Sequence, residues 1–76
     1  MEPVEVLANF DLQGEVTPKR FTLKKVEYQV VSVGRRWIDE DGLHILVMVP
    51  GERVFELLFL PGPGKDRGRD RPVDQG

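Results

Sequence analysis

Leu43-His44-Ile45-Leu46-Val47-Met48-Val49-Pro50-Gly51-Glu52-Arg53-Val54-Phe55-Glu56-Leu57-Leu58-Phe59-Leu60 reads as two long strands joined by a three-residue turn. Phe55, Leu57 and Phe59 alternate with Val54, Glu56 and Leu58, the period of a strand that packs one face on a core. Leu43–Val49 is nearly all apolar. A central strand covered on both faces has that pattern, and so has a strand of a curled sheet at a dimer interface. Pro50-Gly51-Glu52 supplies the turn chemistry between them.

Working outward, Val4, Val6 and Ala8 alternate with Glu5, Leu7 and Asn9, which predicts a strand over 4–10. Pro18 biases Thr17 toward extended geometry. A second strand is predicted at 20–24, with Phe21 and Leu23 inward and Thr22 and Lys24 outward. A third follows a tight turn at Lys25-Val26 and covers 26–33. Its period slips at Val31-Ser32. One extra residue there, a β-bulge, lets Tyr28, Val30 and Val33 share the core face, and Gly34 lets the chain bend. Asp41-Gly42 marks a turn after Trp37-Ile38. No segment carries a helical period.

The expectation is an all-β domain: a five-stranded antiparallel meander curled into a small SH3-like or open barrel, which partly protects its edges. The domain occupies 1–60. Residues 61–76 have almost nothing apolar to bury and are expected to form a disordered tail, its alternating Arg and Asp cancelling in charge. Pro61-Gly62-Pro63-Gly64 lacks the strand–loop–helix setting of a phosphate loop.

The net charge of −2 hides a basic stretch. Lys19, Arg20, Lys24, Lys25, Arg35 and Arg36 face only Glu27 between positions 19 and 36, a local +5. Its flanks are acidic. Phe21 and Tyr28 belong to the predicted core face, where large rings supply much of a small domain's buried area. Trp37 is placed at the core or rim, or against a ligand or partner.

Several chemistries find no support. There is no cysteine, so no disulfide and no thiolate metal site. His44 is the only histidine, too few for histidine clusters, and no catalytic motif accompanies it. Asp39, Glu40 and Asp41 crowd one turn, but the 12-residue calcium-loop spacing is absent, so the turn reads as a solvated hairpin end. No metal, cofactor, small-molecule substrate or enzymatic activity is expected. Met1-Glu2-Pro3 does not open a signal peptide, no apolar run approaches the ~20 residues of a membrane span, and a soluble cytoplasmic protein is expected.

The run Pro18-Lys19-Arg20-Phe21-Thr22-Leu23-Lys24-Lys25-Val26-Glu27-Tyr28-Gln29-Val30-Val31-Ser32-Val33-Gly34-Arg35-Arg36-Trp37 resembles a family of small uncharacterised bacterial proteins. Their pattern is approximately Pro-x-x-Phe-x-Trp-x-Gly-x-x-Tyr-x-Val-x-x-Val-x-x-x-Trp. Phe21, Tyr28, Val30, Val33 and Trp37 stand on its positions, whereas Leu23 replaces a usual Trp and Lys25 a frequent Gly. Some members are associated with DNA-repair polymerases. The resemblance supports the fold, reinforces the bulge and brings no catalytic residues.

The functional expectation is a non-catalytic protein-binding or self-associating module. It would use a sheet edge or an apolar patch on Leu43–Val49 or Leu58–Leu60, because one small core needs only one face of the last hairpin. The alternative is sequence-independent nucleic-acid binding through Arg20, Lys24, Lys25, Arg35 and Arg36, with Trp37 or Tyr28 stacking on bases. The acidic flanks oppose it unless they lie on another face. No membrane partner is expected.

Overall fold

The computed structural model describes residues 1–61 and 65–71. They form one antiparallel sheet of seven strands: β1 (Glu2–Phe10), β2 (Val16–Leu23), β3 (Val26–Gln29), β4 (Ser32–Asp39), β5 (Gly42–Val49), β6 (Arg53–Phe59) and β7 (Arg67–Arg71). The order is β3-β2-β1-β7-β6-β5-β4. The sheet curls into a half-barrel. Its two edge strands are consecutive in the chain: the Val30 amide donates to the Lys19 carbonyl on β2, and the Val31 amide to the Met48 carbonyl on β5.

Five strands in a simple meander is therefore corrected to seven, for two reasons. First, the predicted third strand breaks at Val30-Val31, and its continuation through Trp37 pairs with β5 instead of β2. The period slip marks a change of partner. Tyr28, Val30 and Val33 nonetheless all pack against the core. A bulge does occur further on, between Val33 and Arg36.

Second, the expected disordered tail contains β7. Apolar content was the wrong criterion for it. β7 pairs with β6 along its whole length and with β1 at Glu2 and Pro3, and it places only Gly68 in the interior. A Cβ on Gly68 would lie 2.8 Å from Val4 Cγ1 and 3.2 Å from Leu57 Cδ2. The glycine lets those two side chains fill the space a seventh strand would otherwise need for its own. The predicted tail residues 62–64 and 72–76 lie outside the described residues, as does most of Pro61–Gly64.

The core is built from alternate residues of the longer strands, as the pleat requires. Val4, Phe21, Leu23, Ile45, Val47, Val49, Phe55 and Leu57 are buried together. Phe21 stacks on Tyr28 at 5.1 Å between ring centroids and meets Phe55 edge-on at 5.1 Å. Leu23 pairs with Val26 across a two-residue turn. Lys24 and Lys25 both have positive φ, 52° and 67°, the geometry of a type I′ hairpin turn. Among the described residues no helix is long and apolar enough to cross a membrane.

Candidate functional site: the outer face of β4 to β7

The same pleat that sends Ile45, Val47, Phe55 and Leu57 inward sends His44, Leu46 and Met48 of β5, and Val54, Glu56 and Leu58 of β6, to the opposite face. Cross-strand register sets Trp37 beside His44, and Arg69 and Arg71 beside Glu56 and Val54. On β7 the alternation sorts charge: Arg67, Arg69 and Arg71 share this outer face, while Asp70 points the other way and pairs with Arg53 at 2.8 Å. Interleaved signs in the sequence thus become separated signs on a strand.

At the centre of this face lies a buried polar network. Glu56 is 2 % exposed. Its Oε2 is 2.7 Å from His44 Nδ1, and its Oε1 accepts from Arg69 Nε and Nη2 at 3.2 and 2.9 Å and from Arg71 Nη1 at 3.0 Å. Burial pushes the Glu56 carboxyl upward, but His44, Arg69 and Arg71 outweigh it and hold the group below the ordinary carboxylate range. Burial likewise pushes His44 down, and the Glu56 and Asp39 carboxylates prevail, leaving it above its ordinary value. The His44 ring is stacked on Trp37, 4.8 Å between centroids and 5° from parallel. The Arg35 guanidinium lies 5.4 Å over the Trp37 ring.

Beside the network is an apolar dent of about 190 Å³ floored by Leu46, Val47, Met48 and Val54 and bordered by Ser32, Gly34 and Arg35. Gly34 keeps it open. A Cβ there would meet only Leu46 O at 3.6 Å and Leu46 Cβ at 3.8 Å, ordinary van der Waals contact. The backbone thus does not need glycine at this position for lack of space. A larger concavity of about 470 Å³ lies at one end of the sheet around Leu23, Tyr28 and Phe55. There Arg53 is engaged with Asp70 and with the Tyr28 and Phe55 rings.

The six residues singled out in the sequence do not share one surface. Lys24 and Lys25 follow the last residue of β2, whereas Arg36 donates to the carbonyl of Val16, its first residue. Seven residue steps along a strand separate those points by about 23 Å. Arg20 is paired with Glu27 at 3.2 Å and Arg36 lies 3.9 Å from Glu15. Arg36 therefore straps β4 to the start of β2. Arg35 and Trp37 do come together, on the outer face. Sequence reading missed Glu56, Arg69 and Arg71. Period-two alternation within 67–71 was the available signal, and it becomes visible only once that segment is taken as a strand.

No family model, curated protein or solved structure matches this chain.

Proposed function

We propose that the chain is a non-catalytic binding module that docks a protein partner on the outer face of β4–β7. The observation that carries this reading is the apolar dent over Leu46, Met48 and Val54 on the side of the sheet that does not face the core. A small barrel needs apolar residues only inside, and Met48 remains 40 % exposed outside. Arg35 borders the dent, and Arg71 pairs with Val54 in its floor. This chemistry fits a short protein segment with one apolar anchor flanked by carboxylates. Strand addition at an edge is less well supported, because the two edge strands β3 and β4 join directly at Val30-Val31, whose amides are already bonded to β2 and β5.

The experiment is selection of peptide ligands from a random library, followed by mapping of the bound peptide by amide chemical shifts. The reading expects apolar-acidic peptides whose binding moves Ser32, Gly34, Arg35, Leu46, Met48 and Val54. Ligands that map elsewhere, or no ligand at all, would overturn it. Sedimentation of the chain alone shows whether a second copy fills the same dent.

Nucleic acid is the second reading. Arg67, Arg69 and Arg71 share a face with Arg35 and Trp37, which supports it. Against it, Arg69 and Arg71 already neutralise Glu56. Oligonucleotide binding that weakens steeply between ~50 and ~200 mM salt would favour this second reading.

A further inference from the structure

Asp39 and Asp41 close the β4–β5 turn, and His44 stands on β5 immediately after it. One donor atom from each lies within 4.8 Å of the others. Acidic groups in an exposed turn are common and signify nothing by themselves. The histidine changes the picture. His44 is 6 % exposed, and its Nε2 is sealed from water without any hydrogen-bond partner. Asp39 Oδ2 sits 2.9 Å from that nitrogen, within ion-pair reach of a protonated ring, but no well-formed hydrogen bond joins the two atoms. Buried polar atoms are normally bonded, and each exception needs a physical explanation.

The other ring nitrogen tells which form of the imidazole is held. Nδ1 is 2.7 Å from Glu56 Oε2. A buried carboxylate fixed by two arginines is an acceptor only, so Nδ1 carries the proton and donates. When the ring gives up its second proton, Nε2 presents a lone pair toward the cluster, next to a carboxylate oxygen. A metal ion can then take the place of that proton, since metal binding to histidine displaces it. A histidine that donates its second N–H to a carboxylate is also how metal-ligating imidazoles are oriented and made more basic.

We propose that His44 Nε2, Asp39 and Asp41 bind one divalent transition-metal ion, with zinc the best fit. One imidazole and two carboxylates suit zinc better than calcium or magnesium, which take all-oxygen shells. Ligand bonds of about 2.1 Å place co-ligands ~3.4 Å apart in a tetrahedral site. Asp39 and His44 are already near that spacing. The exposed Asp41 carboxylate closes the remainder by a shift on the order of 1.5 Å, within reach of a side-chain rotation. Asp39 uses its other oxygen, Oδ1, to accept from the Asp41 and Gly42 amides at 2.8 and 3.3 Å. Its Oδ2 is left for the ion, and the turn is unchanged. Three protein ligands leave room for water, and the ion would pin the β4–β5 turn to the polar network. This inference does not depend on the partner-binding reading.

The test uses the untagged full chain and zinc ion alone, because a polyhistidine tag would bind the probe. Zinc titration should show one ion per chain, bound more tightly than about 100 µM, with a large shift of the His44 Nε2 resonance and none of comparable size at Nδ1. Asp41→Asn should weaken binding at least ~10-fold while leaving the melting temperature of the chelator-treated protein unchanged. Asp39→Asn, which keeps the oxygen that caps the turn, should weaken it similarly. Calcium at the same concentration should leave His44 Nε2 unmoved. No zinc uptake at ~100 µM, or uptake that both variants retain in full, would overturn the proposal. A plain His44–Asp39 ion pair would then account for the contact.

Discussion

Replacing Glu56 with Gln tests the buried network, and the structure predicts a cost that depends strongly on which partner is removed. The Glu56 carboxylate is 3 % exposed and takes hydrogen bonds from three cationic or potentially cationic side chains. Its partners are unequal. Arg69 and Arg71 keep 56 % and 46 % of their side-chain surface in water, so either one can be solvated if its bond to Glu56 is lost. His44 cannot, at 8 %. Glu56→Gln removes the charge that Nδ1 bonds and leaves a buried imidazole imperfectly paired, which should cost ~2–3 kcal/mol. Arg69→Ala or Arg71→Ala alone should cost only ~1 kcal/mol or less, since the other arginine remains and solvent screens the pair. Removing both leaves a buried carboxylate with one partner, and breaking a buried pair this way costs ~3–5 kcal/mol. The double variant should therefore exceed the sum of the singles by at least ~1 kcal/mol. Urea unfolding of the wild type and the four variants under chelating conditions measures this. A domain of this size has only roughly 4–10 kcal/mol to lose, so the effects are large on its scale. Additive, sub-kilocalorie costs throughout would refute the network as a structural unit.

Other outcomes follow from the same structure. Gly68→Ala should lower stability by ~1–3 kcal/mol through overpacking against Val4 and Leu57, read as a drop in thermal midpoint; an unchanged midpoint would mean β7 is not seated as described. Replacing Lys24-Lys25 with Asn-Gly should raise stability by roughly 1 kcal/mol, because both positions have positive φ and this pair favours the type I′ turn. The Glu56→Gln difference should depend on pH. Glu56 is held low, so its contribution is present above about pH 4.3 and disappears as pH falls through its lower folded value; His44 is held high, so its contribution is complete below about pH 6.5 and fades as pH rises through its higher folded value. Urea midpoints of the chelated wild type and variant should therefore converge toward pH 3 and draw closer, without meeting, toward pH 9, where Arg69, Arg71 and the neutral imidazole Nδ1–H still bond the carboxylate; a constant gap would contradict the pairing.

Much of the barrel was legible in the residues because it rests on side chains in alternation. The last hairpin, the inward set Phe21, Tyr28, Val30 and Val33, and the turn at Asp41-Gly42 all follow from apolar period and turn chemistry. β7 was not legible, because backbone pairing to β6, a buried glycine and three arginine–carboxylate contacts hold it, and none of these registers as hydrophobicity. The network was hidden for a related reason. Glu56 looked like an ordinary outward residue of a strand, and His44 like a lone histidine. They meet only because β5 and β6 pair in one register, and their cationic neighbours arrive from a segment that composition assigns to a tail. The basic residues show the opposite effect: Lys24, Lys25 and Arg36 are close in sequence, yet strand direction sets the two lysines after the end of β2 and Arg36, on β4, against its start.

The docking claim is tested most directly by Gly34→Val, measured on the affinity of a selected peptide. A valine at this strand position fills the dent over Leu46 without a close contact to the backbone, since its Cβ would lie 3.6 Å from Leu46 O. The account predicts an unchanged melting temperature and a loss of affinity of at least ~10-fold, about 1.4 kcal/mol, with Leu7→Lys on the distant β1 as a control that retains binding. Full affinity in a stably folded Gly34→Val protein would show that the outer face of β4–β7 is not where the partner docks.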